Sequence, residues 1–422
     1  MQARPPRVLI YSHDTFGLGH LRRCRVIAQA LVAHRPETSV LIIAGSPVVG
    51  SFSFPPQVDF IRVPGVVKLG ADSYAPSNPG LSIEDLTEIR SAIIKKTAEI
   101  FDPDVFLVDK EPLGMRGEVE ASLHYLKTTG TRLVLGLRDI MDEPSRLAEE
   151  WRRKEAFPAI EHLYDDIWVY GLPEICDPLE GVGVSQAVRD KAVFTGYLQR
   201  ADDPSGALPA DESEFEEPRP FVLVTTGGGG DGAMLVDWVL RAYESGAEIG
   251  VRAKIVMGPF MDSGNQADFQ RRVARLPDVD AITFAASIEP MFEHSVGVVA
   301  MGGYNTFCEI LSFDKPAVIV PRQQPRLEQE IRARQAEVLG LTRMLDPDTS
   351  ADAAVMAAAI GALRTQARPR SAAVEGILGG LEVICRLTDE TIAAGRHGRT
   401  ARSVDRRWVG QRARPASGAG HG

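Results

Sequence analysis

Residues 7–24 read RVLIYSHDTFGLGHLRRC. They form an apolar run, then a loop holding Gly17 and Gly19, then His20 at the start of a new pattern. The run 7–12 is of strand length and nearly continuous in Val, Leu and Ile, as expected of a strand covered on both faces. After it, Leu18, Leu21, Cys24, Ala28 and Leu31 recur at helical spacing, which lays one apolar face on a sheet. Strand, glycine loop and helix in that order open a doubly wound α/β unit. Residues 221–232, FVLVTTGGGGDG, open a second one.

Strand-like runs at 7–12, 39–44, 58–63, 105–109, 132–137, 167–170 and 192–195 alternate with amphipathic stretches, one of them between Ile83 and Ile100. The pattern stops at 201–220, which holds four prolines and seven acidic residues and reads as an exposed linker. It restarts with strands at 221–225, 252–257, 281–284, 297–300 and 317–320. Helices are expected from Asp231, near 267–274, at 306–313 and at 327–339, followed by two Ala-rich ones to about Leu387. The fold class is therefore α/β, with two Rossmann-like parallel-sheet domains facing across a cleft. The expected boundaries are 1–200, linker 201–220, 221–390 and tail 391–422. The 422 residues suit two domains at roughly 100–200 residues each.

Composition narrows the function. The four cysteines are far apart, without metal-ligand spacing, and read as reduced thiols of a cytoplasmic protein. Apolar runs are too short to cross a bilayer, and residues 1–6 lack the apolar stretch of a secretory signal. Net charge is −10, yet 391–422 carries seven arginines against Asp405 alone, so the tail is +6 and the rest −16. So acidic a body repels nucleic acid, and no nucleic-acid partner is expected. The tail reads either as a disordered appendage or as a peripheral tether to anionic lipid at the inner face of a membrane, helped by Trp408.

Four loops end strands and open helices, so all should face the cleft. The first carries Gly17, Gly19 and His20, with Arg22 and Arg23 behind; His20 is the candidate general base, a capping histidine being the competing reading. The second is the run Gly227, Gly228, Gly229 and Gly230, whose bare amides before a helix suit a phosphate. No G-K-[ST] follows, so Walker-type ATP hydrolysis has no support. The third holds Gly303, Thr306 and Glu309, the glutamate placed to accept bonds from a diol such as ribose. The fourth holds Glu328 and Gln329, an acceptor and a mixed donor-acceptor suited to sugar hydroxyls. Asp109 is a second catalytic candidate. It ends a strand, as Arg138 does, with Glu111 close behind; these three could touch an acceptor or pair with each other. No metal-ligand pattern occurs, so no metal site is expected.

The pairing of G-x-G-H after the first strand with G-G-x-x-T-x-x-E and an E-Q pair resembles the nucleotide-sugar glycosyltransferases of the two-Rossmann-domain, GT-B type. Among these it is similar to the family of bacterial N-acetylglucosaminyltransferases that make lipid II, over residues 7–387. The resemblance implies an inverting, metal-independent transfer without a cofactor. The donor would be a nucleotide-sugar, a UDP-sugar above all, and the acceptor a glycan, lipid-linked or small-molecule hydroxyl. It implies that Gly17, Gly19 and His20 form the N-terminal loop, Gly227 and Gly228 the phosphate loop, Glu309 the ribose contact and Gln329 a sugar contact. Arg200, in the segment Thr195-Gly196-Tyr197-Leu198-Gln199-Arg200, would touch phosphate. The sequence departs from that family at Tyr197 and Leu198, at Gly229 in place of serine, and at Glu328 in place of glutamine. The segment 17–24 is also similar to the G-x-G-H-x-x-R-C signature of UDP-sugar hydrolases of the pseudaminic-acid pathway. A nucleotide-sugar hydrolase or epimerase of the same fold is the alternative.

Overall fold

A computed structural model describes residues 4–13, 19–68, 74–200, 219–285, 287–347 and 352–395. Gly17 and its neighbours 14–18, the expected linker up to 218 and the tail from 396 lie outside the described residues. Two all-parallel sheets organise the chain. The first has seven strands in the order Val58–Arg62, Ser39–Ala44, Arg7–Ser12, Val105–Asp109, Arg132–Arg138, Asp166–Tyr170 and Ala192–Phe194. The second has six: Val279–Ile282, Arg252–Val256, Phe221–Thr225, Gly297–Ala300, Ala317–Ile319 and Arg343–Met344. In each, the first strand in sequence lies inside the sheet and the chain then winds outward both ways. That leaves a crevice at the carboxyl ends where the strand order reverses.

Side chains alternate between the two faces. Val8 and Ile10 join one core and Leu9 and Tyr11 another, while Val222 and Val224 part from Leu223 in the same way. Each layer of helices therefore buries one parity of every strand, and the sheet has no wet face. The strand expected at 281–284 runs instead over Val279–Ile282, because its register is set by pairing with Ala253–Val256. Phe284 falls past the ladder, half-exposed at the cleft. A small hairpin, Val66–Lys68 with Tyr74–Pro76, occupies part of the excursion between the third strand and helix Ile83–Phe101.

The last helix, Gly380–Ala394, crosses back to the N-terminal lobe. It packs on helix Gly19–His34, with Ile384 and Cys385 in the same core as Leu21 and Cys24. His34 Nε2 lies 2.7 Å from Asp389 Oδ2. The crossing needs bare backbone: a Cβ on Gly380 would sit 2.6 Å from the Gly196 carbonyl oxygen and 2.7 Å from that of Tyr197. Among the described residues no helix is long and apolar enough to cross a membrane.

Candidate active site

The loops open on one cleft of about 450 Å³ between the lobes. Its N-terminal wall is made by Gly19, His20, Arg22, Arg23 and Arg138. The C-terminal wall holds Gly227, Gly228, Gly229, Gly230, Gly303, Thr306, Glu309, Glu328 and Gln329. Four helices of eight residues or more, Gly19–His34, Ala233–Glu244, Tyr304–Ser312 and Glu328–Val338, begin at this cleft, so their free amides and positive dipole ends favour an anionic ligand there.

His20 sits at the switch point of the first sheet, over the end of strand Val105–Asp109. Its Nδ1 is 2.5 Å from Asp109 Oδ2. Asp109 also accepts from Arg23, Nε to Oδ1 at 2.8 Å and Nη2 to Oδ2 at 2.6 Å. Burial alone would raise the Asp109 carboxyl, but Arg23 and His20 outweigh it and hold it well below the usual range. An ionised carboxylate facing Nδ1 requires the proton on that nitrogen, so Nε2 keeps its lone pair. Burial also pulls the His20 imidazole down to about 4 against the opposing pull of Asp109, with Arg23 and Lys110 adding to the fall. The ring is thus a neutral base at neutral pH. Asp109 is 1% exposed and does not line the cleft. Expected from the sequence as a catalytic candidate able to touch an acceptor, it lies instead beneath the imidazole, behind the cleft wall. His13 packs edge-on against His20 at 5.7 Å, itself buried. Glu111 does not pair with Arg138 but with Lys110 and Lys154, both at 2.9 Å.

The tetraglycine loop turns tightly. Gly227 and Gly229 have φ of 69° and 91°, and a Cβ on Gly229 would stand 2.5 Å from the Met257 carbonyl oxygen. That contact leaves no room for a side chain at Gly229 in this turn. Thr226 Oγ1 ties the loop's base to Met257 by donating to its carbonyl at 2.5 Å.

Glu309 is 1% exposed on helix Tyr304–Ser312. Its Oε1 lies 2.8 Å from Arg22 Nη2, reaching from the other lobe, yet has no aligned hydrogen-bond donor among the described residues. Burial pushes its carboxyl up, Arg22 opposing. Arg22 also reaches Glu289 Oε1 at 3.2 Å. Glu328 accepts from Arg322 Nη2 at 2.6 Å through Oε1, while Oε2 is buried without a donor among the described residues. Gln329 Oε1 accepts from the Arg322 backbone N–H at 3.1 Å, which fixes the amide with its nitrogen towards Gly303. Glu328 Oε2, buried without a donor among the described residues, is an acceptor that a hydroxyl of a ligand would satisfy, and Glu309 lines the same cleft held by Arg22.

Arg200 does not line the cleft. It is buried, and its Nη2 donates to Asn305 Oδ1 at 2.8 Å, while Asn305 Nδ2 donates across the lobes to the Gly19 carbonyl at 3.1 Å. Tyr197 and Leu198, where the resemblance breaks, are fully buried between the lobes. Tyr197 stacks on Tyr304 with ring centroids 5.8 Å apart and donates to Asp139 Oδ2 at 2.7 Å. The same Asp139 takes a bidentate pair from Arg332 of the other lobe, both bonds at 2.7 Å. Arg332 further donates to the Gly302 carbonyl at 2.8 Å. Sequence reasoning missed Asn305, Asp139 and Arg332, because nothing local marks a residue whose partner lies in the other lobe.

The fold and cleft define a GT-B protein, two facing Rossmann-like lobes with the site between them. Residues 221–369 match the model of the glycosyltransferase family 28 C-terminal domain. The chain resembles the UDP-N-acetylglucosamine--N-acetylmuramyl-(pentapeptide) pyrophosphoryl-undecaprenol N-acetylglucosamine transferase of Rhodococcus opacus, 26% identical over 244 residues. That match takes in 54% of this chain and 63% of the Rhodococcus sequence, so the chain spans less than two thirds of the length of that relative. Among solved structures, the glycosyltransferase VinC in complex with DTDP superposes with a TM-score of 0.60 at 16% identity, over 93% of this chain and all of that one. A Listeria monocytogenes chain described provisionally as a UDP-N-acetylglucosamine 2-epimerase gives 0.59 at 13% identity, over 93% of this chain and 96% of its own.

Proposed function

We propose that this protein is an inverting, metal-independent glycosyltransferase that moves a sugar from a nucleotide-sugar, a UDP-sugar above all, to an acceptor hydroxyl. The observation that carries the reading is that a neutral imidazole held by a buried carboxylate and a tetraglycine loop line the same cleft. The family 28 match over the second lobe supports it. In this reading the diphosphate lies against Gly227–Gly230 and the start of helix Ala233–Glu244, and Glu309 accepts from the ribose diol. Glu328 and Gln329 read the sugar, and His20 Nε2 takes the proton as the acceptor oxygen attacks C1. Negative charge that grows on the leaving diphosphate meets bare amides, a helix dipole and the Arg22 and Arg322 guanidinium groups, which act most strongly where charge develops. The Rhodococcus relative's pyrophosphoryl-undecaprenol acceptor supports a lipid-linked one here, reached from the membrane surface.

A panel of UDP-, GDP- and dTDP-sugars, with nucleotide release followed with and without cell-envelope extract, tests the function. Release that depends on the extract is the expected result. Free sugar or an interconverted sugar formed without any acceptor would establish the hydrolase or epimerase reading instead.

Two substitutions check the donor site. Glu309→Ala removes a bond to a charged acceptor worth about 1.5–3 kcal/mol, so UDP affinity should fall roughly 10- to 150-fold by calorimetry. Unchanged affinity would remove the ribose assignment. Gly229→Ala forces a side chain into the left-handed region, a strain of about 1–2 kcal/mol, besides the contact with Met257. UDP affinity should drop at least as far as the strain implies, about 5- to 30-fold, with the far sheet unaffected.

A further inference from the structure

Four guanidinium groups line the cleft, and three are neutralised within it. Arg23 is held by Asp109, Arg22 by Glu309 and Glu289, and Arg322 by Asp231 and Glu328. Arg138, at the end of strand Arg132–Arg138, has no carboxylate within ion-pair reach and no hydrogen bond from its side chain among the described residues, and its Nε is buried without a partner. The charges that face it are Glu328 and Arg332 from the other lobe and Arg23 and Asp139 from its own, and Glu328 and Asp139 are already held by Arg322 and Arg332. Burial lowers the Arg138 guanidinium to about 10, still charged at neutral pH. Arg138 is half-buried in the cleft wall, and a buried Nε without a partner is a donor that a ligand in the cleft would complete. An arginine fork matches a carboxylate or phosphate with two parallel bonds.

Resting on the nucleotide-sugar reading of the cleft, we propose that Arg138 is a specificity residue that pairs with an anionic oxygen group, carboxylate or phosphate, on the transferred sugar or on the acceptor. The placement favours the reacting end of the cleft, because Arg138 shares the first sheet's carboxyl edge with Asp109, directly beneath His20. Its opposite number across the cleft is Glu328, in the E-Q pair read as sugar-binding. A neutral sugar and a neutral acceptor would leave that charge uncompensated in the loaded enzyme. The glutamate at 328 and the arginine at 138 thus form a recognition pair in which each repels the sugar or acceptor that suits the other.

The source of the anion is settled by calorimetry on the wild-type and Arg138→Gln proteins. The probes are UDP, UDP-glucose, UDP-glucuronate, and inorganic phosphate with and without saturating UDP. If the donor carries the anion, UDP-glucuronate binds the wild type at least tenfold more tightly than UDP-glucose, and Arg138→Gln abolishes the preference. If the acceptor carries it, the two sugar nucleotides bind alike, while phosphate binding to the UDP-loaded wild type is weakened at least tenfold by the substitution. Arg138→Lys, which keeps the charge but not the fork, should retain part of either effect, and circular dichroism melts confirm that the variants fold. No anion preference in either arm, or one that survives Arg138→Gln, overturns the proposal. Should no uridine nucleotide bind the wild type, the donor reading itself fails. The phosphate titration without UDP then decides for Arg138 alone, loss on substitution supporting it and indifference refuting it.

Discussion

Replacing His20 by alanine should lower sugar transfer by about 10²–10⁴-fold while leaving UDP affinity close to that of the wild type. The imidazole lines the N-terminal wall, whereas the groups read as holding the nucleotide come from the other lobe, so chemistry and binding separate. The pH dependence carries the same signature. Burial, opposed by Asp109, sets the free-enzyme imidazole at about 4, well under the ordinary value of about 6.5. As pH falls through about 4, Nε2 gains a proton and loses its lone pair, so the acid limb of kcat/KM should lie there and not near 6.5. Stability moves the same way. The unfolded chain binds this proton first, so the contribution of the neutral imidazole is present above about 6.5 and lost as pH falls towards 4. Circular dichroism across that range separates the two effects. A His20→Ala protein that transfers sugar at the wild-type rate would remove the base assignment.

Breaking the buried bridge between the lobes should have the largest effect on stability. Asp139→Ala leaves the Arg332 guanidinium, 1% exposed, without its carboxylate and strips Tyr197 of its acceptor. Removing one partner of such a pair costs about 3–5 kcal/mol, chiefly because the remaining charge stays buried. Because Arg332 also braces the Gly302 carbonyl, next to Gly303 of the third loop, nucleotide affinity should weaken as well. The double replacement Asp139→Leu with Arg332→Met removes both charges together and should recover most of the lost stability, as apolar isosteres of buried pairs often do. Chemical denaturation measures both. A loss under 1 kcal/mol for the single variant would mean that the lobes are held by the surrounding apolar core and not by this pair.

The strands were legible because each is a continuous Val, Leu and Ile run. The strands Arg7–Ser12, Ser39–Ala44, Val105–Asp109, Phe221–Thr225 and Gly297–Ala300 match the sequence reading end to end. The tetraglycine loop was legible for an equally local reason: bare amides ahead of a helix have few structural uses besides a tight turn or an anion, and Gly227 and Gly229 make the turn. Where the reading missed, a non-local partner was responsible. The strand at 279–282 follows its neighbour's register and not its own apolar content. Arg200 donates to Asn305 and stands behind the cleft lining, and the last helix left its own lobe for the other.

Local pattern by itself determined the two parallel sheets and which loops end their strands, because backbone preference and the periodicity of apolar side chains act over a few residues. Tertiary structure alone decided which charges meet. His20 and Asp109 are 89 residues apart in the chain and Asp139 and Arg332 are 193 apart. Whether such groups become a poised base, a bridge between lobes or an unpaired guanidinium depends on strand order and on how the lobes pack. Coulomb and hydrogen-bond energies depend on separation in space and on burial, and neither quantity is written along the chain.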